Sequence, residues 1–207
     1  TPCGTLFPYT TLFRSAFLAA LGNKPLVLTL LADNYKGEEH GMIRFRKQGD
    51  GDYVPDFTQA ERYLDLYKKH MSEPDPLVVH LWSMGVYGLA NKHARKLAKP
   101  FEEVRVPVSV IQSDGSLAVE EILPPHHAEA KALWKSVLDG LYERMETRGW
   151  SRESLMLGVT SDRTPRSETA EAFAEIAPRA GWYNFSHKYH TYFEAIEGSP
   201  FRSPADS

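Results

Sequence analysis

The sequence of 207 residues predicts an α/β fold, specifically part of a (β/α)8 barrel of the TIM type, with about five parallel strands and their helices. Short apolar runs alternate with amphipathic segments of helix length, and strands that are joined by helices pair in parallel. No glycine-rich phosphate loop is present, which favours a barrel over a doubly wound open sheet. Since a complete barrel takes eight strands and roughly 250 residues, we expect an incomplete one.

In the first half of the chain, the apolar run Lys24–Ala32 is compatible with a buried strand or a short helix, and the alternating segment Met42–Lys47 reads as a strand. A helix is predicted from Thr58, because Thr58 and Glu61 have the spacing of a capping box and apolar residues then recur every three or four positions. Two prolines end this helix, and the strand Leu77–Trp82 follows.

The second half of the chain alternates strands and helices more regularly. Its predicted elements are the strand Val104–Gln112, a helix from Ala130 to Met145, the strand Ser154–Thr160, a helix after Thr164-Pro165 and the strand Gly181–Ser186. Gly149 is expected to end the longest of these helices in a left-handed conformation.

The composition limits the classes of function. With 42% hydrophobic and 25% charged residues the chain is typical of a globular domain, and its net charge of −3 gives no basic surface for nucleic acid. No apolar run approaches the roughly 20 residues of a membrane span. The single cysteine forms no internal disulfide and no metal cluster, so we expect neither a metal nor a cofactor. The sequence leaves the oligomeric state and the localisation open.

Residues 5–15, TLFPYTTLFRS, match one reading frame of a widely used short-read sequencing adapter. We therefore expect residues 1–15 to be foreign and disordered, residues 16–40 to be a lead-in segment, and residues 41–207 to form the incomplete barrel domain. The chain end, SPFRSPADS, has no stop signature, so we expect the natural protein to continue beyond it.

The carboxyl ends of the predicted strands hold the candidate site, because barrel enzymes place their active sites there. The residues at these ends are Trp82-Ser83, Gln112-Ser113-Asp114, Ser161-Asp162-Arg163 and His187. Aromatic faces beside carboxylates and amides suit a sugar, which offers an apolar face and hydroxyl groups. Strand ends also meet solvent and are polar for that reason alone, and an Asp before Arg-Thr-Pro is common at a helix start.

Four local patterns resemble the catalytic region of glycoside hydrolase family 123, over Asn34 to His187. They are DFTQAERYLDLYKKH at Asp56–His70, ALWKSVLDGLYERMETRGW at Ala132–Trp150, LMLGVTSDRTP at Leu155–Pro165 and AGWYNFSH at Ala180–His187. The order and spacing of these patterns carry the resemblance.

The resemblance implies a barrel glycosidase that acts on N-acetylhexosaminides, in which the substrate's 2-acetamido group attacks the anomeric carbon. An Asp orients that group and a neighbouring Glu protonates the leaving oxygen; the dipeptide at their place here is Ser161-Asp162. The resemblance also suggests an extracytoplasmic location.

Two functions stay open on the sequence. The first is a glycoside hydrolase in which Asp162 is the proton donor, with its pKa raised by burial against Trp82 or Trp182, and Asp114 is the candidate for a second carboxylate. The expected substrate contacts are Trp82, Gln112, Ser161, Arg163, Trp182 and His187. The second is a carbohydrate-binding barrel without catalysis, or a scaffold domain of a larger polysaccharide-degrading protein.

Overall fold

The fold is that of a computed structural model, which describes Gly22 and residues 24–32, 40–49, 51–81, 103–159, 167–184 and 201–202. The strands, in chain order, are β1 (Leu26–Thr29), β2 (Arg44–Gln48), β3 (Asp52–Asp56), β4 (Leu77–His80), β5 (Val106–Ile111), β6 (Leu117–Ile122), β7 (Leu155–Val159), β8 (Gly181–Asn184) and β9 (Phe201–Arg202). The helices of these residues are α1 (Thr58–His70), α2 (Lys131–Glu146) and α3 (Ser167–Ile176). The predicted foreign segment 1–15 lies outside the described residues, and the predicted domain boundaries stay predictions.

One sheet is parallel throughout, with the strand order β1-β4-β7-β8-β9. The strands β4, β7 and β8 were predicted from the sequence, β1 lies in the run that was compatible with a strand or a short helix, and α1, α2 and α3 are the three predicted helices. Each helix connects two neighbouring strands of this sheet, so the strands follow one another in chain order across it. The prediction of an α/β fold with a parallel sheet is therefore confirmed.

The second sheet, which we call the insert sheet, has the order β3-β2-β5-β6 and mixes parallel and antiparallel pairs. The predicted strand Val104–Gln112 is β5 of this sheet, so its placement as a strand of the barrel was wrong. The turn at Gly115, with φ +83°, folds the chain back, and β6 pairs with β5 in antiparallel register. The strands β3 and β6 were not predicted, because Pro55 and two aspartates in β3, and two adjacent glutamates in β6, weaken their local signals.

The insert sheet is built from the two connections that leave the carboxyl ends of β1 and β4. Directly after β1, Leu31 forms an antiparallel bridge to Val108, and the Ala32 amide donates to the Pro107 carbonyl at 3.0 Å. The insert sheet therefore lies at the carboxyl end of the parallel sheet, on the side of β1.

The parallel sheet has two different faces. On the helix face, Leu28, Val79 and Leu157 belong to one large buried cluster. That cluster takes side chains from all three helices, among them Leu64, Trp134 and Phe173. The opposite face, which we call the inner face, carries a separate small cluster of Val78, Met156 and Tyr183. Among the described residues, this cluster contains no helix side chain.

The helix α1 does not begin with the predicted capping box. Thr58 is the first helical residue rather than the cap, and its amide donates to Oδ1 of Asp56 at 3.0 Å. Glu61 instead forms an ion pair with Arg144 of α2, with its carboxylate 2.9 Å from Nε. The prediction at Gly149 is confirmed: its φ is +76°, and the Trp150 amide returns to the Met145 carbonyl as in a Schellman motif.

Candidate functional site

Toward the carboxyl edge of the parallel sheet, the last register that β1, β4, β7 and β8 share is a layer of mostly polar residues. Thr29 of β1, His80 of β4, Gly158 of β7 and Tyr183 of β8 lie side by side in successive strands. We call these four residues the carboxyl layer. The three side chains are buried, with Thr29 7%, His80 2% and Tyr183 5% exposed.

The carboxyl layer belongs to the inner face of the sheet. Side chains alternate between the two faces along a strand, and the row two residues earlier consists of Val27, Val78, Met156 and Gly181. The inner face is thus apolar in its interior and becomes polar only at the edge from which the connections leave. In α/β sheets this edge is where ligands bind.

Gly158 makes room for the His80 ring. A Cβ atom built at Gly158 would lie 2.5 Å from Cδ2 of His80 and 2.5 Å from Cγ1 of Val78. It would also lie 3.2 Å from Nε2 of the same ring. The imidazole therefore extends from β4 over the backbone of β7, into the space that any other residue at 158 would fill.

Tyr183 occupies the next strand on the other side of Gly158. Burial raises the pKa of its phenol above the ordinary value, so the hydroxyl stays protonated at neutral pH. His80 and Tyr183 thus flank the one position of the layer that has no side chain. This brings an imidazole and a neutral hydroxyl to the carboxyl edge.

A short segment that begins at His40 packs against the end of β1. The Met42 amide donates to the Thr29 carbonyl at 2.6 Å, and the Gly41 amide donates to Oγ of Ser109 at 2.9 Å. Nδ1 of His40 lies 3.3 Å from the same hydroxyl. Ser109 is fully buried, so its hydroxyl holds this segment to the insert sheet and is not a free nucleophile.

Two of the predicted site residues, Gln112 and Asp114, lie in the hairpin of the insert sheet. The Asp114 carboxylate accepts hydrogen bonds from the amide and the hydroxyl of Ser116, at 2.9 and 2.6 Å, and these bonds lower its pKa. Nε2 of Gln112 donates to the Val110 carbonyl at 3.4 Å and to Glu120 at 3.3 Å. In this structure both side chains stabilise the hairpin.

Trp182 points to the helix face, because it is adjacent in sequence to Tyr183 and side chains alternate along β8. Its ring is 6% exposed and packs edge-on against Phe173 of α3, with centroids 6.1 Å apart. The structure therefore separates the Trp182 ring from the carboxyl layer by the sheet itself.

The other predicted site residues, Trp82, Ser161, Asp162, Arg163 and His187, lie outside the described residues. Their positions in the chain are nevertheless informative. Trp82 follows His80 by two residues, and Asp162 and His187 follow Gly158 and Tyr183 by four residues each. Their connections thus leave β4, β7 and β8, which are neighbours in the sheet.

Sequence reasoning missed the carboxyl layer. The signals that it could have used are a histidine inside the apolar run LVVHLW and a glycine inside LMLGV. Neither run alternates between apolar and polar residues, so the sequence does not tell which of the two faces of each strand is turned toward the helices. It also does not tell that Thr29, His80, Gly158 and Tyr183 are neighbours, because this depends on the register between strands.

A cavity of about 380 Å³ lies at the opposite, amino end of the parallel sheet. Glu73 is its central group, and its carboxylate accepts from the Ser151 amide at 2.6 Å and from the Ser154 hydroxyl at 3.0 Å. These bonds hold the turn that leads into β7. We regard this cavity as structural, because the Glu73 carboxylate at its wall is engaged by this turn.

The described residues contain no group of three or more histidine, cysteine, aspartate or glutamate side chains that could hold a metal ion. Over the same parts of the chain, no helix combines the length and the apolar character that crossing a membrane requires.

Comparison with known proteins identifies the family. The family model described as the glycoside hydrolase 123 catalytic domain matches residues 14–192. This chain belongs to glycoside hydrolase family 123. No curated protein matches it.

The fold is similar to that of a family 123 glycoside hydrolase from Clostridium perfringens, which has been analysed for the hydrolysis of glycolipid glycans. The TM-score is 0.55 at 11% sequence identity, and the match covers 86% of this chain and 30% of that one. At this identity the likeness concerns the fold alone. The family 123 chain described here thus spans less than a third of the length of that enzyme.

Proposed function

We propose that the protein hydrolyses the glycosidic bond of N-acetylhexosaminides at the carboxyl edge of its parallel sheet. The observation that carries this proposal is the match to the family 123 catalytic domain over residues 14–192. The carbohydrate class of the substrate follows from membership of the family, and the N-acetylhexosamine part is our proposal.

We propose further that the parallel sheet is part of a (β/α)8 barrel. Two features of the described residues support this. The strands β1, β4, β7 and β8 follow one another in chain order, without the reversal of a doubly wound sheet. The side chains of α1, α2 and α3 all join the cluster on one face, as do the helices that surround a barrel.

The arrangement of the strands supports a shared site for the predicted residues. The connections after β4, β7 and β8 carry Trp82, the tripeptide Ser161-Asp162-Arg163 and His187. Parallel neighbours release their connections at the same edge, about 5 Å apart from strand to strand. We propose that these residues surround the sugar above the carboxyl layer.

In the proposed reaction, the carbonyl oxygen of the substrate's 2-acetamido group attacks the anomeric carbon while the glycosidic C–O bond breaks. Asp162 gives its proton to the leaving oxygen, and a water molecule then opens the cyclic intermediate. Asp114 is the proposed second carboxylate. Its lowered pKa keeps it ionised, which suits orienting the acetamido N–H and does not suit donating a proton.

The test replaces Asp162 by Asn, which keeps the shape and removes the titratable proton. Turnover is measured on two aryl N-acetylhexosaminides, one with phenol and one with 2,4-dinitrophenol as the leaving group. Loss of a general acid should lower kcat for the phenyl glycoside by about 10²–10⁴-fold, and for the dinitrophenyl glycoside far less, since that phenolate leaves without a proton. Binding of the free sugar should change little.

Asp139→Asn is the matched control, because Asp139 is exposed on α2 and pairs only with Lys135 one turn earlier. It should leave both rates unchanged. Equal rates for the parent and Asp162→Asn on the phenyl glycoside would contradict the assignment of the proton donor.

A second candidate is a carbohydrate-binding barrel without catalysis. It is favoured by Ser161, which stands where the family resemblance leads us to expect an Asp. The same assays separate the two functions: sugar binding without turnover of either glycoside in the parent protein supports the second candidate, and absence of both supports a scaffold role.

A further inference from the structure

The carboxyl layer places a buried imidazole, that of His80, directly beside a strand glycine, Gly158. A glycine in a strand loses side-chain packing and conformational restriction, and such glycines often mark a close approach of a ligand or another group. At Gly158 two groups approach, the His80 ring and the Val78 side chain, each 2.5 Å from the position that a Cβ atom would take.

Apolar packing accounts for the glycine but not for the imidazole. The preceding row of this face holds Val27, Val78, Met156 and Gly181, and a Cβ atom at position 158 would meet Val78 as well as the His80 ring. An aliphatic residue at position 80 would continue the apolar face, and the chain has a histidine there. Local choices that disagree with the surrounding pattern are expected at functional sites. The pair lies at the edge where the connections leave the parallel sheet.

We propose that His80 is a positioning residue of the sugar site, that the carboxyl layer is the floor of this site, and that glycine at position 158 leaves room for the imidazole. This rests on the proposed function. The ring is 2% exposed and so acts through its neighbours: it lies between Thr29 and Gly158 and fixes the carboxyl ends of β4 and β7 relative to each other.

The test compares His80→Gln and His80→Leu. Glutamine keeps a polar group at similar reach, and leucine keeps the volume and apolar packing. A positioning role that needs the polar group predicts that His80→Leu lowers kcat on the phenyl N-acetylhexosaminide by about 10²-fold with little change in KM, and that His80→Gln recovers most of that loss. A purely structural role predicts the opposite order, with leucine tolerated better than glutamine.

Gly158→Ala tests whether the glycine makes room for the ring. Because its methyl group would also meet Cγ1 of Val78, the change is made in a Val78→Ala background, where it should lower kcat as much as His80→Leu does. The double variant, Gly158→Ala with His80→Leu, should lose no more than the worse single variant, because both act on the same ring. His70→Gln is the matched control, since His70 lies at the end of α1 near the amino edge of the sheet, and it should not change kcat.

If the parent has no turnover, the proposed hydrolysis fails and the same variants are compared by the Kd for free N-acetylhexosamine. A Kd raised at least tenfold in His80→Leu and in Gly158→Ala, with recovery in His80→Gln, supports the inference independently of catalysis. Three results would overturn the inference about His80. The first is an equal kcat or Kd for the parent and His80→Leu, and the second is additive losses in the double variant. The third is that the parent does not bind the sugar.

Discussion

At the scale of single residues, Glu120 shows how distant parts of the chain depend on one carboxylate. It accepts a hydrogen bond from the Tyr53 hydroxyl at 2.7 Å and pairs with Lys47 at 2.8 Å. The charge of Lys47 and the bond from Tyr53 lower the pKa of Glu120. In turn, burial together with Glu120 raises the pKa of Tyr53 to about 12.

We therefore predict that Glu120→Gln lowers the free energy of unfolding at pH 7 by about 1 kcal/mol. Because the folded pKa of Glu120 lies below the ordinary value near 4.3, its contribution is present above that pH and is lost as the pH falls through the folded pKa. Urea unfolding of the parent and the variant should differ at pH 7 and at the start of the acidic range, and the difference should shrink as the pH falls below the ordinary pKa of a glutamate.

Glu121→Gln is the control for this prediction, since Glu121 is exposed on the other face of β6. It should match the parent across this pH range. A difference between parent and Glu120→Gln that stays constant with pH would show that the charge of Glu120 does not matter.

Each of these residues is visible in the sequence, but the contact between them is not. Tyr53 and Glu120 are 67 positions apart, and they meet only because β3, β2, β5 and β6 form one sheet. By contrast, the end of α2 at Gly149 was predictable, because a helix end that is closed by a residue in the left-handed conformation depends only on residues within one turn of it. Local interactions could be predicted, and pairwise contacts across the fold could not.

At the scale of elements, α2 packs closely against the start of α1 through a glycine. A Cβ atom at Gly140 would lie 2.5 Å from Cζ and 2.6 Å from Cε2 of Phe57. The other side of the Phe57 ring receives the guanidinium of Arg144, 3.9 Å from the ring centroid. Glycine at position 140 is therefore needed for the close contact between α2 and Phe57, and not for the conformation of α2.

We predict that Gly140→Ala destabilises the protein by about 1 kcal/mol. Alanine gains about 1 kcal/mol of helix propensity over glycine, but overpacking against Phe57 costs about 1–3 kcal/mol. In a Phe57→Leu background the clash is relieved, and the same change should stabilise. Chemical unfolding of the four proteins measures both effects; a rise in stability from Gly140→Ala alone would contradict the close packing.

The elements themselves were largely predictable, while their assignment to sheets was not. The apolar stripes of α1 and α2 identify helices directly, since the pattern depends only on their own residues. The strand β5 has as clear a pattern as β7, yet it belongs to the insert sheet. A strand's sequence shows that it is buried, but not which strand it pairs with.

At the scale of the whole molecule, we propose that the two ends of the parallel sheet have different roles. The carboxyl edge holds His80 and Tyr183, and the connections that follow it include those with Trp82 and Asp162. The amino edge holds the cavity around Glu73, whose carboxylate accepts two hydrogen bonds from the turn that leads into β7. A functional role of the carboxyl ends stays a prediction, which the sequence allows because that rule depends on the class of fold alone.

The measurement that tests this account most directly is a map of where N-acetylhexosamine binds, obtained from backbone amide chemical shifts of isotope-labelled protein during titration with the sugar. We predict that the shifts concentrate at Thr29, His80 and Tyr183, at the carboxyl edge of the parallel sheet. Shifts confined to the amino-end cavity, around Ser72 and Ser151, or no shifts at all, would contradict it.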